Sequence, residues 1–316
     1  MSLSSQRAPT ADAVRHFVDL RDWDGDRIRK LLKDAARLKK AHAKGKNKPL
    51  LQGRVLALIF EKPSLRTRVS FQAGMAQLGG EAIFLTQSEC GLGHRESLPD
   101  VARSLTQFVD AVVLRVHRHE TVEEFARWSP VPVINGLSNY AHPCQALGDL
   151  MTLAETCGGE LEGRTIAFIG DGNNVARSLA VASGKVGVRF VLSAPAGYGF
   201  DQRFLELYRE QFGAEPAAEA DPVRAVADAD AIYTDVWTSM GQEAEAAERR
   251  KHFASYQVNE DLLSHALPHV RVMHCLPAHR GEEITDGVLD GPQSIAFEQA
   301  GNRMHAQKAL LLWVMG

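Results

Sequence analysis

Short apolar runs separated by polar stretches of helical period repeat along most of the chain. The first run, Val55-Leu56-Ala57-Leu58-Ile59-Phe60, reads as a strand over 54–60, and Pro63 stops it. Phe71, Met75 and Leu78 then recur at helical spacing until Gly79-Gly80, which predicts a helix. The same alternation predicts strands over 81–85, 110–115 and 131–134 and a second series over 164–169, 188–193, 230–234, 271–274 and 294–297. Helices are expected from Asp24 to Ala43, from Pro143 to Glu155 and from Glu298 to Val314. Strands alternating with helices predict an α/β fold with parallel sheets. At 316 residues the chain suits two doubly wound parallel-sheet domains, 1–150 and 151–297, with 298–316 packing back on the first and an active-site cleft between the two.

Composition narrows the class. Hydrophobic content of 45% and charged content of 24% are those of a globular protein. The net charge is −3, and the mixed basic stretch from Arg37 to Lys48 reads as a solvated helix end, so no nucleic-acid partner is expected. No apolar run reaches membrane-spanning length, and Met1-Ser2-Leu3-Ser4-Ser5-Gln6-Arg7 lacks a signal-peptide core; the first dozen residues are expected to be a tail. Cys90, Cys144, Cys157 and Cys275 show neither metal nor disulfide spacing, which fits a cytoplasmic protein without metal.

Candidate chemistry collects where strands end, the edge at which open parallel sheets bind ligands. Phe60-Glu61-Lys62-Pro63-Ser64-Leu65-Arg66-Thr67-Arg68 places two hydroxyls and two guanidiniums where a strand turns into a helix. Backbone N–H groups at a helix start attract anions, and arginine adds charge and bidentate geometry, so a phosphate trap is expected there. Taken singly, Ser64 would only cap the helix and the arginines would be solvated. After later strands come Arg115 with His117 and His119, Asn135 followed by His142-Pro143-Cys144-Gln145, Gly170-Asp171-Gly172-Asn173-Asn174, Asp235 followed by Ser239-Met240-Gly241, and His274-Cys275-Leu276-Pro277. Such a concentration of polar and nucleophilic groups suits an interdomain cleft.

Ile166-Ala167-Phe168-Ile169-Gly170-Asp171-Gly172-Asn173-Asn174-Val175 is similar to the opening of a dinucleotide-binding fold, which would make the chain an NAD-dependent oxidoreductase. The third glycine falls at Val175, and Phe190-Val191-Leu192 runs into Ser193-Ala194-Pro195 with no carboxylate for a ribose hydroxyl. A nicotinamide cofactor is therefore disfavoured, and Asn173 and Asn174 suit helix capping or a small polar ligand.

Together these residues resemble the carbamoyltransferase family, and within it the ornithine carbamoyltransferases. Ser64-Leu65-Arg66-Thr67-Arg68 is similar to the family's Ser-Thr-Arg-Thr-Arg phosphate motif, with Leu65 replacing a threonine. His142-Pro143-Cys144-Gln145 resembles its carbamoyl-binding motif, and Asp235 with Ser239-Met240-Gly241 its ornithine loop. His274-Cys275-Leu276-Pro277 and Asn302-Arg303-Met304-His305-Ala306-Gln307-Lys308 follow the family pattern, and the likeness runs from about His16 to the end. The resemblance implies transfer of the carbamoyl group of carbamoyl phosphate to the side-chain amine of L-ornithine, giving L-citrulline and phosphate, with no metal or cofactor. It also implies a homotrimer whose first domain binds carbamoyl phosphate and whose second binds ornithine. By resemblance Ser64, Leu65, Arg66, Thr67, Arg115, His142, Gln145, Cys275, Leu276 and Arg303 hold carbamoyl phosphate. Asn174, Asp235, Ser239, Met240 and Cys275 hold ornithine, and the catalytic set is Cys275, Arg115, His142 and Asp235.

Charge bears on the acceptor. An aspartate carbamoyltransferase places a lysine in the loop equivalent to Thr86 to Glu96, and this chain has none there, offering instead the anionic Asp235 for an α-ammonium. Other acceptors are putrescine and N-acylated ornithine; the first lacks an α-carboxylate and the second a free α-ammonium. The attacking amine must lose a proton, an alkylammonium of this kind having an ordinary pKa of about 10.4, and Asp235 and a thiolate-leaning Cys275 are the candidates to accept it. The family's loop glutamine is replaced by Gly91, with Gln87 a substitute four positions earlier. Synthesis and breakdown of arginine would use the same residues.

Overall fold

The computed structural model describes residues 14–92, 95–238 and 243–316. The chain divides into two compact units. One comprises the residues up to Asp19, Asp34–Cys144 and Met304–Gly316, the other Leu20–Lys33 and Gln145–Arg303. The second unit thus begins at Gln145 rather than 151 and also takes in a segment near the N-terminus. The helices Gly25–Ala43, Pro143–Thr156 and Ala296–Met315 each carry the chain from one unit to the other. The remaining crossing, between Asp19 and Leu20, precedes the first of these helices.

The first unit holds a parallel sheet in the order β2-β1-β3-β4, formed by β1 (Val55–Phe60), β2 (Glu81–Thr86), β3 (Ala111–Arg115) and β4 (Val133–Leu137). Its central strands are buried without alternation because both faces are covered. Leu56, Leu58 and Ile59 are fully buried, each contributing about 1.5–3 kcal/mol of apolar burial. The edge strand β2 is instead partly exposed throughout.

The second unit holds a parallel sheet in the order β7-β6-β5-β8-β9, formed by β5 (Thr165–Ile169), β6 (Arg189–Ser193), β7 (Ala217–Ala218), β8 (Ala231–Thr234) and β9 (Arg271–His274). The short edge strand β7 is not expected from the sequence, because its alanines carry no strand signal. A strand over 294–297 is not found. Ser294 makes one isolated bridge to Val272, and Ala296 already opens the last helix. Phe297 is 59% exposed, so the apolar run there is not a buried strand.

Chain direction across each sheet reverses once, between β1 and β3 and between β5 and β8. At such reversals successive connections leave toward opposite sides, opening a crevice beyond the carboxyl ends of the two strands. Arg115 ends β3 and is in register with Phe60 at the end of β1, just before Ser64. Thr234 of β8 pairs with Ile169 of β5 and with His274 of β9, so Asp235, Gly170 and Cys275 all leave one edge.

Candidate active site

In the first unit Pro63 ends the strand approach and Ser64, extended at φ −158 and ψ 110, caps the helix Leu65–Gln77. Its hydroxyl accepts from the Thr67 amide at 3.3 Å, a cap contributing about 1 kcal/mol. Ser64 therefore does act as a cap, and it does so at the helix end that favours anions. The Thr67 side chain is fully buried and accepts from Arg115 Nη1 at 3.4 Å. A buried guanidinium and a buried hydroxyl thus meet beside the helix start. Arg66 is half-buried, His142 is buried in the segment leading into Pro143–Thr156, and Leu65 is 73% exposed. Arg68 turns away: its guanidinium lies 3.8 Å from the centre of the Phe84 ring and its Nε donates to Gln72.

In the second unit Asp235 is 8% exposed and works at both oxygens. Oδ2 accepts from Asn173 Nδ2 at 2.9 Å, and Oδ1 accepts from the Cys275 thiol at 2.9 Å and from the Val236 amide at 2.8 Å. Asn173 also caps the helix Asn174–Val186, its Oδ1 accepting from Val175 and Ala176. Capping is therefore only half its role; the other half is to hold Asp235. Asn174 is the half-buried first residue of that helix. Ser239 and Met240 lie outside the described residues.

The expectation of a thiolate-leaning Cys275 is corrected. Burial first, and then the charge and hydrogen bond of Asp235, push this thiol well above its ordinary value, against the pull of Arg303. Cys275 is a protonated donor to Asp235. The chain around it is tightly held: His274 Nδ1 accepts from the Leu276 amide at 2.8 Å, so Nε2 carries the hydrogen that meets Glu283 Oε1 at 3.1 Å. Leu276 sits at φ +57, a left-handed conformation that costs a branched residue about 1–2 kcal/mol and turns the backbone sharply after Cys275. Gln145 and Arg303, also of this unit, are buried.

Other candidates are structural. His119 is buried against Ser138, its Nδ1 2.8 Å from the hydroxyl, and the His117 amide donates to Glu61. Asn135 donates to the Val18 carbonyl, and the Cys144 thiol donates to the Asn135 carbonyl. Gly91 has φ +60, and a Cβ there would lie 2.7 Å from Arg95 Cβ, so glycine suits this position. Gln87 opens the short helix Gln87–Cys90, and its Oε1 is buried with no partner among the described residues.

The dinucleotide likeness dissolves at the level of the amides. Gly170 N donates to Ser193 and Gly172 N to Tyr198, and Gly172 is needed because a Cβ would lie 2.7 Å from the Gly199 backbone. Asp171 is engaged by Arg249. His279, Glu282 and Glu283 bring ligand atoms within 4.8 Å of one another, but Arg250 occupies Glu282, and His274 with the His279 amide occupies Glu283.

One parallel-sheet unit thus gathers Ser64, Thr67 and Arg115 at the ends of β1 and β3, and the other places the carboxylate–thiol pair of Asp235 and Cys275 beyond β8 and β9. Comparison with known proteins is specific. The carbamoyl-P binding domain of the aspartate/ornithine carbamoyltransferases matches residues 15–155, and their Asp/Orn binding domain matches residues 162–314. The chain belongs to the aspartate/ornithine carbamoyltransferase family. It is 50% identical over 308 residues to the anabolic ornithine carbamoyltransferase of Pyrococcus furiosus, covering 96% of this chain and 97% of that protein. The solved ornithine carbamoyltransferase from Pyrococcus furiosus superposes with a TM-score of 0.92 at 49% identity, covering 96% of this chain and 98% of that one. The enzyme from Thermus thermophilus gives 0.85 at 42% identity, covering 95% and 98%.

Proposed function

We propose that this protein transfers the carbamoyl group of carbamoyl phosphate to the side-chain amine of L-ornithine, giving L-citrulline and phosphate. The observation that carries the choice of acceptor is Asp235, a buried carboxylate held at both oxygens by Asn173 and Cys275 in the domain matched to amino-acid binding. Such a group binds an α-ammonium and has no use for a second acidic side chain. The anabolic name of the Pyrococcus furiosus relative supports a role in arginine biosynthesis.

Ser64, Arg66, Thr67 and the Leu65 amide take the phosphate, with Arg115 shared between phosphate and carbonyl. His142, Thr67, Arg115 and Arg303 stabilise the oxyanion that forms when the amine nitrogen bonds to the carbamoyl carbon; collapse breaks the carbon–oxygen bond to phosphate. Gln145 and the Leu276 carbonyl hold the carbamoyl amide, while Asn174, Asp235, Ser239, Met240 and Cys275 hold ornithine. The amine proton passes to the Asp235–Cys275 pair, with Asp235 as acceptor, since the thiol is already protonated. Much of the remaining rate comes from orientation. The chemistry needs no metal or cofactor.

Assay of citrulline formation, with putrescine, aspartate and N-acetylornithine in parallel, tests this directly. Ornithine is expected to be carbamoylated fastest; no citrulline from ornithine sinks the reading.

We place the enzyme in the cytoplasm. Its free cysteines suit a reducing compartment, and no helix among the described residues is long and apolar enough to cross a membrane. It acts as a homotrimer. Leu65 and Val69, one turn apart on the helix Leu65–Gln77, are 73% and 51% exposed, an apolar strip suited to a second copy. Sedimentation equilibrium is expected to return three times the 34.6 kDa chain mass, and Leu65→Asp with Val69→Asp is expected to shift it to the monomer. A wild-type monomer would overturn the assembly alone.

A further inference from the structure

We infer that Asp149 is a positioning residue for the carbamoyl amide, acting by fixing which end of the Gln145 side chain is offered to the substrate. The inference rests on the reading above, in which Gln145 holds that amide. Asp149 is fully buried one helical turn after Gln145 on Pro143–Thr156. Gln145 Nε2 donates to Asp149 Oδ1 at 2.8 Å, while Gln145 Oε1 is buried and has no partner among the described residues. A buried acceptor without a donor is costly unless a ligand satisfies it.

The carbamoyl NH2 group brings hydrogens and needs an acceptor. An unconstrained glutamine presents either end, and in the wrong orientation its own NH2 would face the substrate's, donor against donor. A carboxylate behind it removes that choice, because an ionised Asp149 only accepts. The contacts around Asp149 agree: Gln299 Nε2 donates to Oδ1 at 2.6 Å and the Tyr233 hydroxyl donates to Oδ2 at 3.2 Å. Each of these three partners is a donor, the arrangement of a carboxylate. Burial raises the pKa of Asp149 to about 7, against these hydrogen bonds and the nearby Arg303 charge.

The same carboxylate reaches the rest of the site. Gln299 Oε1 accepts from the His274 amide at 2.9 Å, immediately before Cys275, and Tyr233 lies two residues before Asp235. Asp149 thereby ties the Gln145 amide to the strand ends that carry the ornithine-side groups. None of the proton or phosphate chemistry passes through it.

The test compares carbamoyl phosphate, acetyl phosphate and inorganic phosphate as ligands of the wild-type enzyme and of Asp149→Asn. Acetyl phosphate carries a methyl group where carbamoyl phosphate carries the amide nitrogen, so it does not use the Gln145 acceptor. Asp149→Asn is expected to weaken carbamoyl phosphate by about tenfold or more, while the other two change by less than about twofold. In the Gln145→Ala background the same change is expected to add nothing, because the partner it positions is gone. A parallel loss for all three ligands, or additive losses in the cycle, would show a merely structural role and overturn the inference.

Should Asp149→Asn fail to fold, Gln145→Glu, matched in shape, answers the same question. Once its carboxyl and that of Asp149 are both ionised they repel, which drives the new carboxyl from the place of the Gln145 acceptor, so preference for carbamoyl over acetyl phosphate, relative to wild type, is expected to fall as pH rises. Arg303 and Tyr233 beside Asp149, with Cys275 and Asp235 beyond Tyr233, are common to both proteins and drop out of that ratio. A ratio flat with pH overturns the inference. Wild-type enzyme that makes no citrulline would instead refute the functional reading, a separate outcome.

Discussion

Asp235→Ala is expected to lower kcat/KM for ornithine by about 10³-fold, roughly 4 kcal/mol, while the Kd for carbamoyl phosphate changes by less than about threefold. The size follows from what the carboxylate does. It is the buried acceptor for the Asn173 amide, the Cys275 thiol and the Val236 amide, and it is assigned the α-ammonium of the substrate as well. Truncation leaves a buried cation without a counter-charge and lets the thiol and the amide drift from the strand ends. Asp235→Asn separates the two losses, since it keeps the shape and one acceptor but not the charge. A second readout follows from the thiol. The Asp235 charge and hydrogen bond are, after burial, what hold the Cys275 proton, so the variant is expected to form thiolate at lower pH than its parent, read by ultraviolet absorbance. Equal losses in ornithine use and carbamoyl phosphate binding would count against the assigned role.

Arg115→Ala is expected to weaken carbamoyl phosphate binding by about a hundredfold, roughly 3 kcal/mol, measured by calorimetry. The guanidinium is buried at the end of β3 and already donates to Thr67, so its geometry is set before substrate arrives. Charge-assisted contacts to phosphate are about twice as strong as neutral ones, and a fork held in place loses little side-chain entropy on binding. Arg115→Lys restores the charge but not the planar fork, and is expected to recover only part of the loss. An unchanged affinity in Arg115→Ala would remove the trap from the β1/β3 crevice. The matching change on the helix, Arg66→Ala, is the companion measurement, because that guanidinium is only half-buried and shares its charge with solvent.

Much of this was legible from residue order. The buried parallel strands announced themselves as unbroken apolar runs, since a strand covered on both faces has no reason to alternate. Ser64, Arg115, Asp235 and Cys275 stood out because polar groups directly after such runs must lie at the carboxyl edge of a parallel sheet. The dinucleotide-like turn, already disfavoured for its missing third glycine and carboxylate, has an equally local explanation. Gly170 and Gly172 satisfy strand and loop contacts, and a glycine pattern does not say which backbone requires it.

Residue order alone was enough for the fold class, the family and the residues at the strand ends, because these depend on local periodicity and on motifs only a few residues long. Three further matters were settled by tertiary structure. The Cys275 thiol is protonated, since burial and the facing Asp235 outweigh Arg303, groups far apart in the chain. Asn173 is both a cap and a partner of Asp235 across the sheet edge. Asp149 is the meeting point of Gln145, Tyr233 and Gln299, drawn from a helix, a strand and the last helix. Of those three contacts only the one-turn spacing from Gln145 could be read in the sequence. Charge and hydrogen bonding act through space, and only the folded chain sets those distances.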